Sequence, residues 1–179
     1  VPICCFLRLY IVKTKNGRMK TLKNYKMVES ILKQDFESAK GRHDFNEMRD
    51  NYELLRELWS TGELDSEDYH DNELTSIVHC FTEVNENKVS LPSNVKWCAQ
   101  NYGKKVIYCL DQLSVKLILH GIDNKLICDY FEEEGIETRY IILDESVAFD
   151  ETAMKTLELH NGDIVELCID EEMIAISKA

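Results

Sequence analysis

Seven cysteines and five histidines are the side chains of this 179-residue chain best suited to nucleophilic or metal chemistry. Cys4, Cys5, Cys80, Cys98, Cys109, Cys128 and Cys168 are odd in number and show no CxxC spacing. No histidine stands two to five residues from any pair, which disfavours both a disulfide framework and a zinc site. Most sit among apolar neighbours, where a free thiol behaves as a small hydrophobe in a reducing compartment. His43, His70, His79, His120 and His160 are scattered, and none shares a local signature with a cysteine or carboxylate that would mark a nucleophile. Asp65, Glu67, Asp68, Asp71 and Glu73 crowd one loop without the alternation and turn glycine of an EF-hand. There is no glycine-rich phosphate loop. The sequence therefore predicts no catalytic residue, no metal site and no cofactor: it does not read as an enzyme.

Charge points to partners instead. Lys and Arg number 21 against 33 Asp and Glu, a formal charge of -12, so a role built on gripping nucleic-acid phosphates is not expected. Residues 1–40 carry +6, residues 41–90 carry -9 and residues 91–179 carry -9, so most of the surface should attract basic partner faces. The Lys13 to Lys26 segment reads as one solvated face of a hairpin, with contact to nucleic acid or an acidic partner as the other reading. No run approaches a membrane span. Val1 to Val12 starts apolar, but Arg8 interrupts it and no small-residue cleavage pattern follows, which argues against a signal peptide. The expected location is nuclear, with the cytoplasm as the second possibility, and the absent initiator Met suggests a piece of a longer chain.

Those residues need elements to hold them. Ile3 to Val12 is strand-like, Asn16-Gly17 is a turn signal, and Arg18 to Tyr25 alternates as a return strand. Met27 to Phe36 then spaces Met27, Ile31 and Phe36 as a helix. Strand, turn, strand, helix is the opening of a β-grasp fold. Asn46 to Trp59 steps Met48, Tyr52, Leu55 and Trp59 at helical spacing and reads as an insertion around residues 38–58. Gly62 to Asp65 gives a turn, and Ser76 to Val84 reads as the strand that closes a first unit. Asn85 to Asn94 holds turn formers and a proline, which places the domain boundary there. The second half repeats the grammar as ββαββ: Lys104 to Leu110, the turn Asp111-Gln112, Leu113 to His120, a helix over Asp123 to Glu134 capped by Gly135, Arg139 to Leu143, the turn Asp144-Glu145, and Ile164 to Ile169 entered through Asn161-Gly162-Asp163. Glu132, Glu133 and Glu134 oppose the macrodipole at the end of their helix, an unfavourable placement that fits a partner-binding role.

The stretch Tyr130 to Leu167, YFEEEGIETRYIILDESVAFDETAMKTLELHNGDIVEL, resembles the C-terminal half of SUMO-like domains, with Gly162-Asp163-Ile164-Val165-Glu166 as the most telling part. The similarity extends over residues 104–170. Gly62 to Asp65 followed by Leu74 to Phe81 resembles the tail of a second, divergent copy. The chain is thus similar to the tandem SUMO-like-domain genome-stability family that includes the NFAT-interacting protein. This implies an α+β fold of two tandem β-grasp domains: residues 1–84 with the helical insertion, a linker over 85–103, and a SUMO-like domain over 104–172.

In function the resemblance implies a noncatalytic adaptor that mimics SUMO in genome maintenance. It would bind the SUMO-conjugating enzyme, or another SUMO-pathway protein, through the two acidic turns Asp144, Glu145, Asn161, Gly162 and Asp163. The chain ends Ile174-Ala175-Ile176-Ser177-Lys178-Ala179 without the diglycine that conjugation requires. The plainer reading of Asn-Gly-Asp is a turn needing positive φ, and of Asp144-Glu145 a solvated tip. A peptide groove between the 113–120 strand and the 123–134 helix is disfavoured, because only Lys116 and Lys125 stand there to welcome acids. The alternatives are a generic tandem ubiquitin-like interaction module or a regulatory subunit of an enzyme complex.

Overall fold

The computed structural model describes residues 22–60, 77–119 and 125–179. The chain divides into two compact units between Thr75 and Ser76.

In the first unit, Leu22–Gly41 is rich in straight-chain Leu, Lys, Met, Glu and Gln and forms helix α1. Residues 22–25 are therefore helical, which corrects the return strand expected to run through Tyr25. The rest of that hairpin lies outside the described residues, as does the Gly62 to Asp65 turn. The buried stripe of α1 is Val28, Leu32 and Ala39, one position along from the expected Met27 and Ile31; Met27 is exposed. A turn with His43 at φ 56° leads into helix α2, Phe45–Ser60. Asp44 caps it by accepting the Glu47 N–H at 3.1 Å, and Glu47 stands three residues on, as in a capping box. Leu54, Leu55 and Leu58 of α2 pack with Val28 and Leu32. Residues 38–58 thus belong to a helical hairpin.

The second unit contains β1 (Val78–Glu83), β2 (Lys88–Ser90), α3 (Lys96–Asn101), β3 (Lys105–Leu110), β4 (Ser114–Ile118), α4 (Lys125–Glu133), β5 (Glu137–Ile142), β6 (Ser146–Ala148), α5 (Glu151–Thr156), β7 (Ile164–Ile169) and β8 (Met173–Lys178). Six strands form one sheet in the order β1-β7-β8-β4-β3-β5, and β2 pairs with β6 in a separate ribbon. Every neighbouring pair is antiparallel. The described chain is α+β, with a helical part and a large antiparallel sheet.

Three expectations change here. Val78–Glu83 does not close the first unit: it pairs along its whole length with β7. Residues 85–103 are not a linker either, because Val89, Leu91, Val95 and Cys98 are core residues of the second unit. The third change is the last strand, β8, which stands between β4 and β7 and separates β7 from the β3–β4 hairpin. A β-grasp sheet sets its closing strand parallel to and beside the first strand of the hairpin; here β7 lies between β1 and β8. Ile174 and Ile176 alternate with Ala175 and Ser177 and are fully buried, so the strand period that drives this placement is in the sequence.

One face of the sheet carries Val106, Tyr108 and Leu110, Val115 and Leu117, Val165, Leu167 and Ile169, and Ile174 and Ile176, all within one apolar cluster. Val89 and Val147 of the ribbon, Cys98 of α3 and Ala153 of α5 join the same cluster and cover that face. The 105–118 hairpin forms as expected, its turn held by Asp111 Oδ1, which accepts the N–H groups of Leu113 and Ser114 at 2.8 Å each. Gly135 ends α4 at φ 69°, and the bonds Ile136 N–H to Phe131 O and Gly135 N–H to Glu132 O make a Schellman cap. Ile176→Ala should destabilise the protein by about 2–5 kcal/mol, because the cavity opens in a strand packed on both edges. Urea unfolding followed by circular dichroism measures it; an unchanged midpoint would exclude β8 from the core.

Candidate functional site

The two acidic turns are built differently. At Asn161-Gly162-Asp163 the backbone is locked to the end of β1: Gly162 N–H donates to Val84 O at 2.8 Å and Val84 N–H to Asp163 O at 2.9 Å. Gly162 has φ 92°, a conformation that glycine adopts freely and other residues rarely do. Asn161 reaches the tight β1–β2 turn, where Glu86 and Asn87 both have positive φ. Its Oδ1 accepts the Asn87 N–H at 2.9 Å, and its Nδ2 donates to Asn87 Oδ1 at 3.3 Å. Asp163 is engaged too. One of its carboxylate oxygens accepts the His160 N–H at 2.9 Å and Lys178 Nζ at 3.1 Å. Burial pushes this carboxyl up, but the bonds from Lys178 and His160 outweigh it and leave it below the ordinary carboxylate range.

Asp144 and Glu145 are exposed: Asp144 Oδ1 accepts the Glu145 N–H at 2.8 Å, and the backbone Glu145 O accepts the Leu91 N–H at 2.8 Å. The structure does not merge the two turns into one acidic patch. Asn161 touches the Asn87 end of the β2–β6 ribbon and Glu145 the Leu91 end. Four residue-to-residue steps along the strand separate those ends, roughly 13 Å. Lys178 also offsets the charge of Asp163, so the turn at 161–163 serves as a brace for the β1–β2 hairpin.

What joins Asp144 and Glu145 is the strand before them. Among the described residues β5 is an edge strand, paired with β3 alone. Tyr140 is 47% and Ile142 62% exposed, on the face shared with their partners Ile107 and Lys105. Lys105 Nζ sits 4.2 Å over the Tyr140 ring. On the other face Arg139 lies 4.3 Å over the Tyr108 ring and donates to Asp150 Oδ2 at 2.6 Å. Asp150 in turn caps α5 by accepting the Ala153 N–H at 2.8 Å; this bond first, and then Arg139, hold its carboxyl below the ordinary range. Arg139 thereby ties the edge strand to α5 and fixes the direction in which Tyr140 and Ile142 face. Exposed Glu132, Glu133, Glu134 and Glu137 flank the strand on the α4 side. Tyr140 and Ile142 were missed as site residues. Their signal was the apolar run Tyr140 to Leu143 that ends a strand whose first half, Glu137 to Arg139, is polar.

The disfavoured peptide groove beside β4 has no open edge, since β3 and β8 occupy both sides of that strand. Among the described residues no group of three or more His, Cys, Asp or Glu is placed to hold a metal ion, and no helix is long and apolar enough to cross a membrane. No family model, curated protein or solved structure matches this chain.

The depressed carboxyls set a pH dependence. A group whose folded pKa lies below its unfolded value stabilises the fold fully above that unfolded value, near 4, and the contribution is lost as pH falls through the folded value. Asp111, Asp150 and Asp163 are all lowered, so stability should hold steady above about pH 4 and decline below it. Asp163→Asn should lower the urea midpoint at neutral pH and leave it nearly unchanged near pH 2. An equal loss at both would remove the charge from the brace.

Proposed function

We propose that this chain is a noncatalytic adaptor whose second unit binds a partner protein along β5 and the Asp144-Glu145 turn, and that the partner is the SUMO-conjugating enzyme or another SUMO-pathway protein. The observation that carries the reading is one continuous stretch: a strand that ends the sheet among the described residues, with Tyr140 and Ile142 exposed, running directly into two exposed acids. An open edge offers backbone groups to a partner strand, and its outward side chains select the sequence that docks. Aromatic and apolar anchors beside a charged rim are the ordinary make-up of a protein interface. The acids favour a basic partner and would speed encounter and fix orientation more than they add affinity.

The SUMO link rests on the resemblance. From β3 to β7 the chain runs strand, strand, helix, strand, short strand, helical turn, strand, the succession a SUMO-like domain follows. Kinship with the β-grasp folds is part of this proposal, with β1 and β8 as additions that change which strands lie side by side. Genome maintenance and a nuclear location belong to the same proposal. A generic interaction module without a SUMO link is favoured by the β5 edge alone, which suits any partner with a free extended segment.

Calorimetry of the full chain against the SUMO-conjugating enzyme tests the first reading. Binding in the micromolar range is expected, weakened about tenfold or more by Asp144→Arg with Glu145→Arg, since like charges at an interface cost several kcal/mol. Asp163→Arg is a poor control, because it breaks the brace. No heat of binding from a folded chain removes the SUMO link. Binding that survives the acid reversal but is lost in Tyr140→Ala with Ile142→Ser would transfer the site to the strand edge and support the generic module.

A further inference from the structure

On the sheet face opposite the large apolar cluster, three side chains from β1 and β7 stand in a row. His79 and Cys168 are directly opposed in the antiparallel register, and Glu166 lies two residues from Cys168 on the same face. His79 Nδ1 is 2.7 Å from Glu166 Oε1, and His79 Nε2 is 4.0 Å from Cys168 Sγ. The imidazole is 9% exposed and bridges the two. Because a carboxylate only accepts, its bond assigns the proton to Nδ1 and turns the Nε2 lone pair toward the thiol. On the other side of Cys168 stands Ala175 of β8, the smallest side chain with a Cβ, and both residues are partly exposed.

We propose that Cys168, His79 and Glu166 form a thiol–imidazole–carboxylate relay that makes Cys168 a nucleophilic modification site for small hydroperoxides. A nucleophile next to a base that is itself oriented by a third group is the general arrangement for activating a thiol, and such contacts are often long without a bound reactant. His79 Nε2 takes the thiol proton, and Glu166 stabilises the imidazolium that results. The thiolate then attacks the outer peroxide oxygen: an S–O bond forms, the O–O bond breaks, and the leaving hydroxide or alkoxide takes the proton from Nε2. Cys168 ends as a sulfenic acid, oxidised by two electrons, and the peroxide as water or alcohol. Cys168 and His79 take part in the chemistry, while Glu166 is a positioning residue. The other described thiols are placed for packing. Cys98 and Cys109 are buried, and burial pushes the Cys98 thiol up to about 11. Cys80 is packed against the apolar cluster on the opposite face. This inference is independent of the partner-binding reading.

Hydrogen peroxide applied to the full chain, with dimedone trapping of sulfenic acid and peptide-by-peptide mass spectrometry, reads Cys80, Cys98, Cys109, Cys128 and Cys168 separately. The Cys168 peptide should be trapped about tenfold or more faster than those of Cys98 and Cys109, in line with its larger thiolate fraction. His79→Gln should slow Cys168 about tenfold and abolish its share of the thiolate absorbance in the ultraviolet. Glu166→Gln keeps an acceptor for Nδ1–H and with it the fold, yet should still reduce that absorbance, which a purely structural role for Glu166 would leave alone. Trapping of Cys168 no faster than Cys98 in the wild-type chain overturns the proposal, as does fast trapping that both variants leave unchanged.

Discussion

The pairing of β8 with two strands at once is the interaction on which the sheet depends. By bonding to β4 on one edge and β7 on the other, Met173–Lys178 joins the 105–118 hairpin to the strands that carry β1. Its inward side chains, Ile174 and Ile176, fill the middle of the apolar cluster. The entry to β8 is fixed locally: Asp170 Oδ1 accepts the N–H groups of Glu172 and Met173 at 2.8 and 2.7 Å, so β7 turns back on itself within three residues. Sheet pairing gives each strand both its backbone partners and its burial, so a strand in the interior determines which other strands are left as edges.

Two edges result, and they differ in character. The β1 edge is managed by a polar brace: Asn161, Gly162 and Asp163 bind the Val84 to Asn87 turn and hold two residues at positive φ that would otherwise be strained. Lys178, the last residue of β8, also donates to Asp163 and to Glu158 O at 2.6 Å, so the same strand that organises the sheet secures the brace. At the β5 edge Arg139 is the main tie, linking Tyr108, Asp150 and the start of α5, while Tyr140 and Ile142 remain exposed. Apolar exposure on an edge strand is something proteins generally avoid, which is the physical ground for reading this edge as functional.

The pairing of β1 with β7 also brings together side chains that are remote along the chain. His79 stands 87 residues from Glu166 and 89 from Cys168, so no local motif could have signalled the contact. A reading that asks for a cysteine or carboxylate near each histidine in sequence returns a surface or satisfied residue for His79. The antiparallel register places it between two groups that alter its chemistry.

By itself the sequence determined the local periods and stops of this protein. The apolar run over 105–110, the alternation over 114–118 and 164–169, the helical spacing of 45–60, the Gly135 cap and the positive-φ turn at Gly162 all follow from interactions within a few residues, which neighbouring positions specify. The acidity that favours basic partners is likewise a property of composition. The tertiary structure decided which strands became neighbours, and with that where the units divide and which groups meet. Val78–Glu83 had the same β-branched, aromatic character whichever unit claimed it, and Ile174 and Ile176 could have served an edge as well as a centre. Asp144 and Asp163 looked alike as turn acids, yet one is solvated and the other is bound to Lys178 and a backbone N–H. The physical reason is common to all of these: pattern encodes which side of a strand or helix is apolar, whereas partner choice is set by competition among distant segments for the same edges and the same buried volume.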